Sequence, residues 1–156
     1  MDVLRYINLN PAHATPITSL RYVLSRATRS ASKFKRMKNH QLLREIIDHI
    51  NGYDLSKAVE KQVQVSNYPK LSSEIPDDFL EIEEAFPEDE LELIYERFLP
   101  HLSEHEVFPC LGILGGNVVA IGCSEVNYGQ VYYNDFDFQI FTLDENLSQF
   151  LSKLSD

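Results

Sequence analysis

Residues 108–154 read FPCLGILGGNVVAIGCSEVNYGQVYYNDFDFQIFTLDENLSQFLSKL. Apolar runs alternate here with turn chemistry. FPCLGIL (108–114) is compact and apolar, and Gly115-Gly116-Asn117 follows as a turn signal. VVAIGC (118–123) is β-branched and apolar, and SEVNYG (124–129) is a polar loop. QVYY (130–133) is a further strand, NDFDF (134–138) a turn region and QIFTL (139–143) the last strand. Asp144 can cap a closing helix with Leu147, Phe150, Leu151 and Leu154 inward. Strands joined by such short turns pair antiparallel. The reading predicts one curved sheet over 108–143, closed by a helix from Glu145.

Upstream the period changes from two to that of a helix. Pro87 fits the first turn of a helix, because its missing N–H would be unpaired there, and Glu88, Asp89 and Glu90 suit the positive end of the helix dipole. Leu91, Ile94, Tyr95, Phe98, Leu99 and Leu102 form the apolar stripe, with Pro100 set to kink or end it. Asp77 to Phe86 is expected as a short helix carrying Phe79, Leu80 and Ile82, and residues 66–76 as a connection. Asp54 is expected to cap a helix with Leu55, Ala58, Val59 and Val63 inward. Leu42, Leu43, Ile46, Ile47 and Ile50 recur at helical spacing before an Asn51-Gly52 stop. A basic helix is expected from Thr18, after an irregular lead-in over residues 1–16. Helices first, then strands, then a closing helix make an α+β fold. The expected division is a basic helical extension over 1–50 and an α+β domain over 51–156, with one compact domain overall as the alternative.

Composition narrows the function classes. A chain of 156 residues with 44% apolar content can bury a core without staples. Two cysteines, Cys110 and Cys123, are too few for a disulfide framework. MDVLRYINLNPAHATP has no apolar run of signal-peptide length, and no stretch reaches the roughly 20 apolar residues that span a bilayer. The expectation is a soluble, cytoplasmic protein without a membrane partner. The net charge of −10 is uneven. Residues 1–50 carry nine Lys/Arg and three Asp/Glu, whereas 51–156 carry five and twenty-one. An acidic body repels nucleic acid and attracts basic partners.

The C-terminal half resembles the SUKH superfamily. The resemblance rests on Gly115-Gly116-Asn117, then Gly129, Val131, Tyr132 and Tyr133, then Asp135 and Asp137, then Phe150 and Leu151. IPDDF at Ile75 to Phe79 is similar to the Leu-Pro-x-x-Tyr helix start of that family. It spans roughly residues 75–154. The resemblance implies a binding module without catalytic residues. Bacterial members often block polymorphic or contact-dependent toxins, frequently nucleases, by direct binding, and a fungal member regulates cell-wall synthesis through protein contacts.

Four sharper signals have plainer readings. His101-Leu102-Ser103-Glu104-His105 matches a zinc-peptidase spacing, but that chemistry needs a third ligand well downstream in a larger domain. Histidines near a helix C-terminus suit the dipole equally well. Asp135-Phe136-Asp137 matches a metal-holding D-x-D, but no phosphate-cradling glycine loop accompanies it, and a turn explains it. Cys110 and Cys123 sit in apolar strands, where cysteine acts as a small hydrophobe rather than a nucleophile. The basic run from Arg21 to Arg44 has only Tyr22 and Phe34 as aromatics, too few for a nucleic-acid stacking platform.

The remaining candidate is a partner surface. Glu74 to Glu96 carries Asp77, Asp78, Glu81, Glu83, Glu84, Glu88, Asp89, Glu90 and Glu92. A solvated face is one reading, and a patch that meets a basic toxin is the other. The chosen partner-binding residues are Asp77, Asp78, Glu81, Glu88, Asp89, Tyr128, Tyr132, Asp135, Phe136 and Asp137, the aromatics as anchors. The reading is a non-catalytic immunity protein that binds and neutralises a basic toxin, a nuclease, and uses no cofactor or metal. Its alternatives are a regulatory interaction module without a toxin and a small metal-dependent hydrolase using His101, Glu104 and His105. Oligomeric state and the binding face stay open.

Overall fold

The computed structural model describes residues 40–156 apart from Ser103 and Phe138. The expected lead-in and basic helix within 1–39 lie outside the described residues. A helix, α1, covers residues 40–51. Its Ile46 and Ile50 enter the main core, with Leu43 and Ile47 beside them. Gly52 ends it by donating to the Asp48 and His49 carbonyls.

Six strands follow in sequence order: β1 (Gln62–Gln64), β2 (Phe79–Ala85), β3 (Val107–Ile113), β4 (Asn117–Gly122), β5 (Val131–Asn134) and β6 (Ile140–Asp144). Each pairs antiparallel with the next, so the chain builds a meander curled into half a barrel. The expected sheet over 108–143 is its larger part. The β3–β4 hairpin closes through Gly115 and Gly116, both at positive φ, where glycine carries no steric penalty. Among the described residues three more helices accompany the sheet: α2 (Pro69–Glu74), α3 (Leu91–Leu102) and α4 (Leu147–Ser152).

Alternation sorts the strands between two faces. Phe108, Val119, Ile121, Val131, Tyr133 and Phe141 join Ile46, Leu71, Leu147 and Phe150 in the main core. Burial of each large side chain stabilises by about 1.5–3 kcal/mol. On the opposite face Ala120 and its cross-strand neighbour Tyr132 meet Phe98 and Leu102 of α3, with Val107 and Ile140. After β6 the chain returns through α4, and Ser155 bridges to Gln62 by two backbone hydrogen bonds of 2.8 and 3.1 Å. The open edge of β1 is thereby covered at Gln62.

Several local expectations are corrected. Residues 79–85 are a strand, not a helix: Leu80 and Ile82 are buried while Phe79, Glu81, Glu83 and Glu84 are exposed. Glutamates favour helix intrinsically, but a ladder offered by β3 on one side and β1 on the other outweighs that preference. IPDDF accordingly precedes a strand. Asp54 precedes a single 3-10 turn (Leu55–Ala58) rather than a capped helix, because the chain must turn into β1 at once. The connection over 66–76 contains α2, begun by Pro69. Pro87 leads into a 3-10 turn (Glu88–Glu90), and α3 begins at Leu91. Pro100 lies inside α3 and does not end it. The cap of α4 is Asn146, whose Oδ1 accepts the Gln149 N–H at 2.9 Å, and not Asp144, which closes β6.

Candidate partner-binding face

The connections of an antiparallel meander alternate between its two ends. Asp77 and Asp78 precede β2, and Asp135, Phe136 and Asp137 follow β5, so these five share one end. Glu88, Asp89 and Tyr128 lie in connections at the other end. Glu81 projects from the exposed side of β2 and Tyr132 from β5. The ten residues therefore form no single patch.

Their environments also separate them. Asp135 is buried and accepts from Tyr133 Oη (2.9 Å), Asn117 Nδ2 (3.2 Å) and the Asp137 N–H (3.0 Å). Burial, and then the Asp135 carboxylate, push the Tyr133 phenol upward. This network ties the β5–β6 turn to β4 through Asn117. Tyr132 is half-buried against α3 and donates to Gln130 Oε1 at 2.6 Å. Tyr128 is partly exposed but donates to the Glu45 carbonyl of α1 at 3.2 Å. Glu88 accepts from Asn51 Nδ2 at 2.9 Å. Asp77, Asp78, Glu81, Asp89, Phe136 and Asp137 are exposed.

Phe136 is exposed by 39% and belongs to an aromatic row. It stacks on Phe98 at 5.7 Å between ring centroids, Phe98 stacks on Phe86 at 6.2 Å, and His101 meets Phe136 edge-on. Beside the row runs a groove of about 250 Å³ between α3 and β2–β4. Its apolar lining includes Phe86, Ile94, Phe98 and Val118, and its polar lining includes Glu83, Glu84, Glu90 and Arg97. A larger hollow of about 390 Å³ lies over β6 and α4, lined by Asp144 and Glu145 among others. Its Asp144 is already committed to Tyr68 Oη at 2.7 Å and to Lys153.

His101 is in the last turn of α3, while Glu104 and His105 lie in the turn beyond it, so the helix end breaks the i, i+4 face a metal pair needs. Among the described residues no three His, Cys, Asp or Glu side chains gather where a metal could sit. Burial pushes the Cys110 thiol up to about 12, and burial with Glu106 pushes Cys123 up to about 11. Neither has the thiolate character of a nucleophile.

The RhsPI family model, describing Rhs-associated immunity proteins, matches residues 57–155, more than half of the chain. The chain belongs to the RhsPI family. The match covers β1 through Ser155, so the family's unit is the curled sheet with α2, α3 and α4. No curated protein matches the chain. RhsPI membership points to an immunity function against Rhs toxins and to binding of a cognate toxin. The sequence reading placed Glu83, Glu84 and Glu90 in one long acidic run and did not join them to Phe86, Ile94 and Phe98, which share their groove. The local sequence Ile82-Glu83-Glu84-Ala85-Phe86 carries no motif, and only the strand pairing sets these glutamates opposite α3.

Proposed function

We propose that this chain neutralises a cognate Rhs toxin by direct, stoichiometric binding in the cytoplasm, and that the toxin is a basic nuclease. The RhsPI match across the whole sheet is the observation that carries the immunity reading. The charge supports the finer part: residues 51–156 carry twenty-one acidic and five basic side chains. A nuclease needs a basic surface around its substrate groove, and an acidic partner associates quickly with such a surface and occludes it. Inhibition by occlusion needs no catalytic group on the inhibitor. We also propose a SUKH relationship, supported by the order of antiparallel meander and closing helix over the segment that resembles that superfamily.

The test is co-expression with the C-terminal domain of a candidate cognate Rhs toxin, sought among the adjacent genes. The expected result is rescued growth, a one-to-one complex on size exclusion, and loss of plasmid cleavage by the purified toxin. Absence of both rescue and complex would refute the immunity reading. A bound toxin that attacks something other than nucleic acid would refute only the nuclease assignment.

A further inference from the structure

We propose that the groove between α3 and β2–β4 receives a basic segment of the toxin, whose Lys or Arg side chains enter between Glu83, Glu84 and Glu90. The inference rests on the toxin-binding reading above and assigns its contact face. The first support is a β-bulge. Ile82 pairs with Ile113 and Glu84 with Gly112, leaving Glu83 as the extra residue. A bulge re-aims side chains at a strand edge, and here both Glu83 and Glu84 line the groove. Gly112 completes the arrangement. A Cβ there would stand 2.7 Å from Glu84 Cγ, so glycine lets that side chain lie against the strand.

The second support is uncompensated charge over an apolar floor. Among the described residues Glu83, Glu84, Glu90 and Arg97 take part in no ion pair. Three carboxylates against one guanidinium leave a net negative groove. Phe86, Ile94, Phe98 and Val118 offer the apolar contact that the methylene stems of Lys and Arg use while their charged heads reach carboxylates. Exposed Phe136, stacked on Phe98, extends this apolar surface beside the groove. The third support is size. About 250 Å³ is below the ~300 Å³ at which small-molecule sites begin, so inserted side chains suit it better than a free metabolite.

The experiment measures association of the cognate Rhs toxin domain identified by that co-expression with the full chain by surface plasmon resonance at low and high salt. The variants are E83Q/E84Q/E90Q, Phe136→Ala, and a control, E60Q/E74Q/E145Q, which removes the same charge from exposed positions off the groove. All keep the core intact, which circular dichroism checks. The groove triple is expected to weaken binding at least ~10-fold at low salt, and the control triple less than ~3-fold. Phe136→Ala is expected to raise the off-rate. Hydrogen exchange should show toxin-induced protection of backbone amides at Glu84, Phe86, Gly112 and Val118. Equal loss in both triples, or protection confined to other elements, would overturn the proposal while leaving toxin binding standing. A groove triple that changes self-association of the chain but not toxin binding would overturn it too. A wild-type chain that binds no toxin would sink both readings.

Discussion

At the scale of single residues, buried polar groups set the costs. Asp135 accepts from a phenol, an amide and a backbone N–H inside the fold. Asp135→Ala leaves Tyr133 Oη and Asn117 Nδ2 without this acceptor, and an orphaned buried donor costs about 1–3 kcal/mol. Urea denaturation should show Asp135→Ala losing about 2–3 kcal/mol and Tyr133→Phe about 1 kcal/mol. The two cysteines add a pH dependence. Their native pKa values are raised from 9.0 to about 12 and about 11 by burial, so the unfolded thiols ionise first as pH rises. Stability from this source is complete below pH 9.0 and is lost as pH climbs through about 11 for Cys123 and about 12 for Cys110. Tyr133, also raised, adds to the loss at the alkaline end. Cys123→Ser should flatten the fall between pH 9 and 11 in chemical melts; an unchanged slope would remove Cys123 from the account.

Elements are held by a few ties between distant segments. Tyr68, at the start of α2, donates to Asp144 at the end of β6, and Lys153 after α4 pairs with the other carboxylate oxygen. Ser155 continues the sheet beyond β1. An edge strand presents unpaired backbone groups that template association with other chains, and this bridge covers part of that edge. Ser155→Pro removes the N–H donated to the Gln62 carbonyl and should cost about 1 kcal/mol. Hydrogen exchange at the Gln62 amide should speed up, and light scattering should register self-association. If the Gln62 amide exchanges unchanged, the bridge does not guard that edge.

Over the whole molecule, the relevant quantity is the field. Single exposed ion pairs contribute about 0–1 kcal/mol, but many carboxylates together steer a basic partner and raise its on-rate. Asp77 and Asp78 lie at one end of the sheet and Glu88 and Asp89 at the other, so they cannot all touch one small contact. Neutralising these four to amides should therefore slow toxin association at low salt and change dissociation less. The effect should fade as the screening length shrinks to about 8 Å at physiological ionic strength and below it at higher salt. The groove variants should instead raise the off-rate, because contact groups act after encounter. An unchanged on-rate in the four-site variant would reduce those residues to a solvated surface.

Local chemistry by itself determined the antiparallel strands over 108–143, the α3 stripe of Leu91, Ile94 and Leu102, the α1 stripe ending at Asn51-Gly52, and the acidity of the body. Each depends on periodicity, turn residues or charge, which are properties of neighbours in the chain. Tertiary structure alone decided that Phe79–Ala85 is a strand, since its glutamates favour a helix until β1 and β3 offer ladders. It also decided that Asp135 is buried and hydrogen-bonded inside the fold, because burial beside Tyr133 and Asn117 is invisible in an Asp-Phe-Asp spacing. The bulge that turns Glu83 and Glu84 toward α3 arises from a register shift against Gly112 and Ile113, nearly thirty residues away in the chain. No local pattern encodes such a shift, because the ladder that imposes it exists only once the sheet has formed.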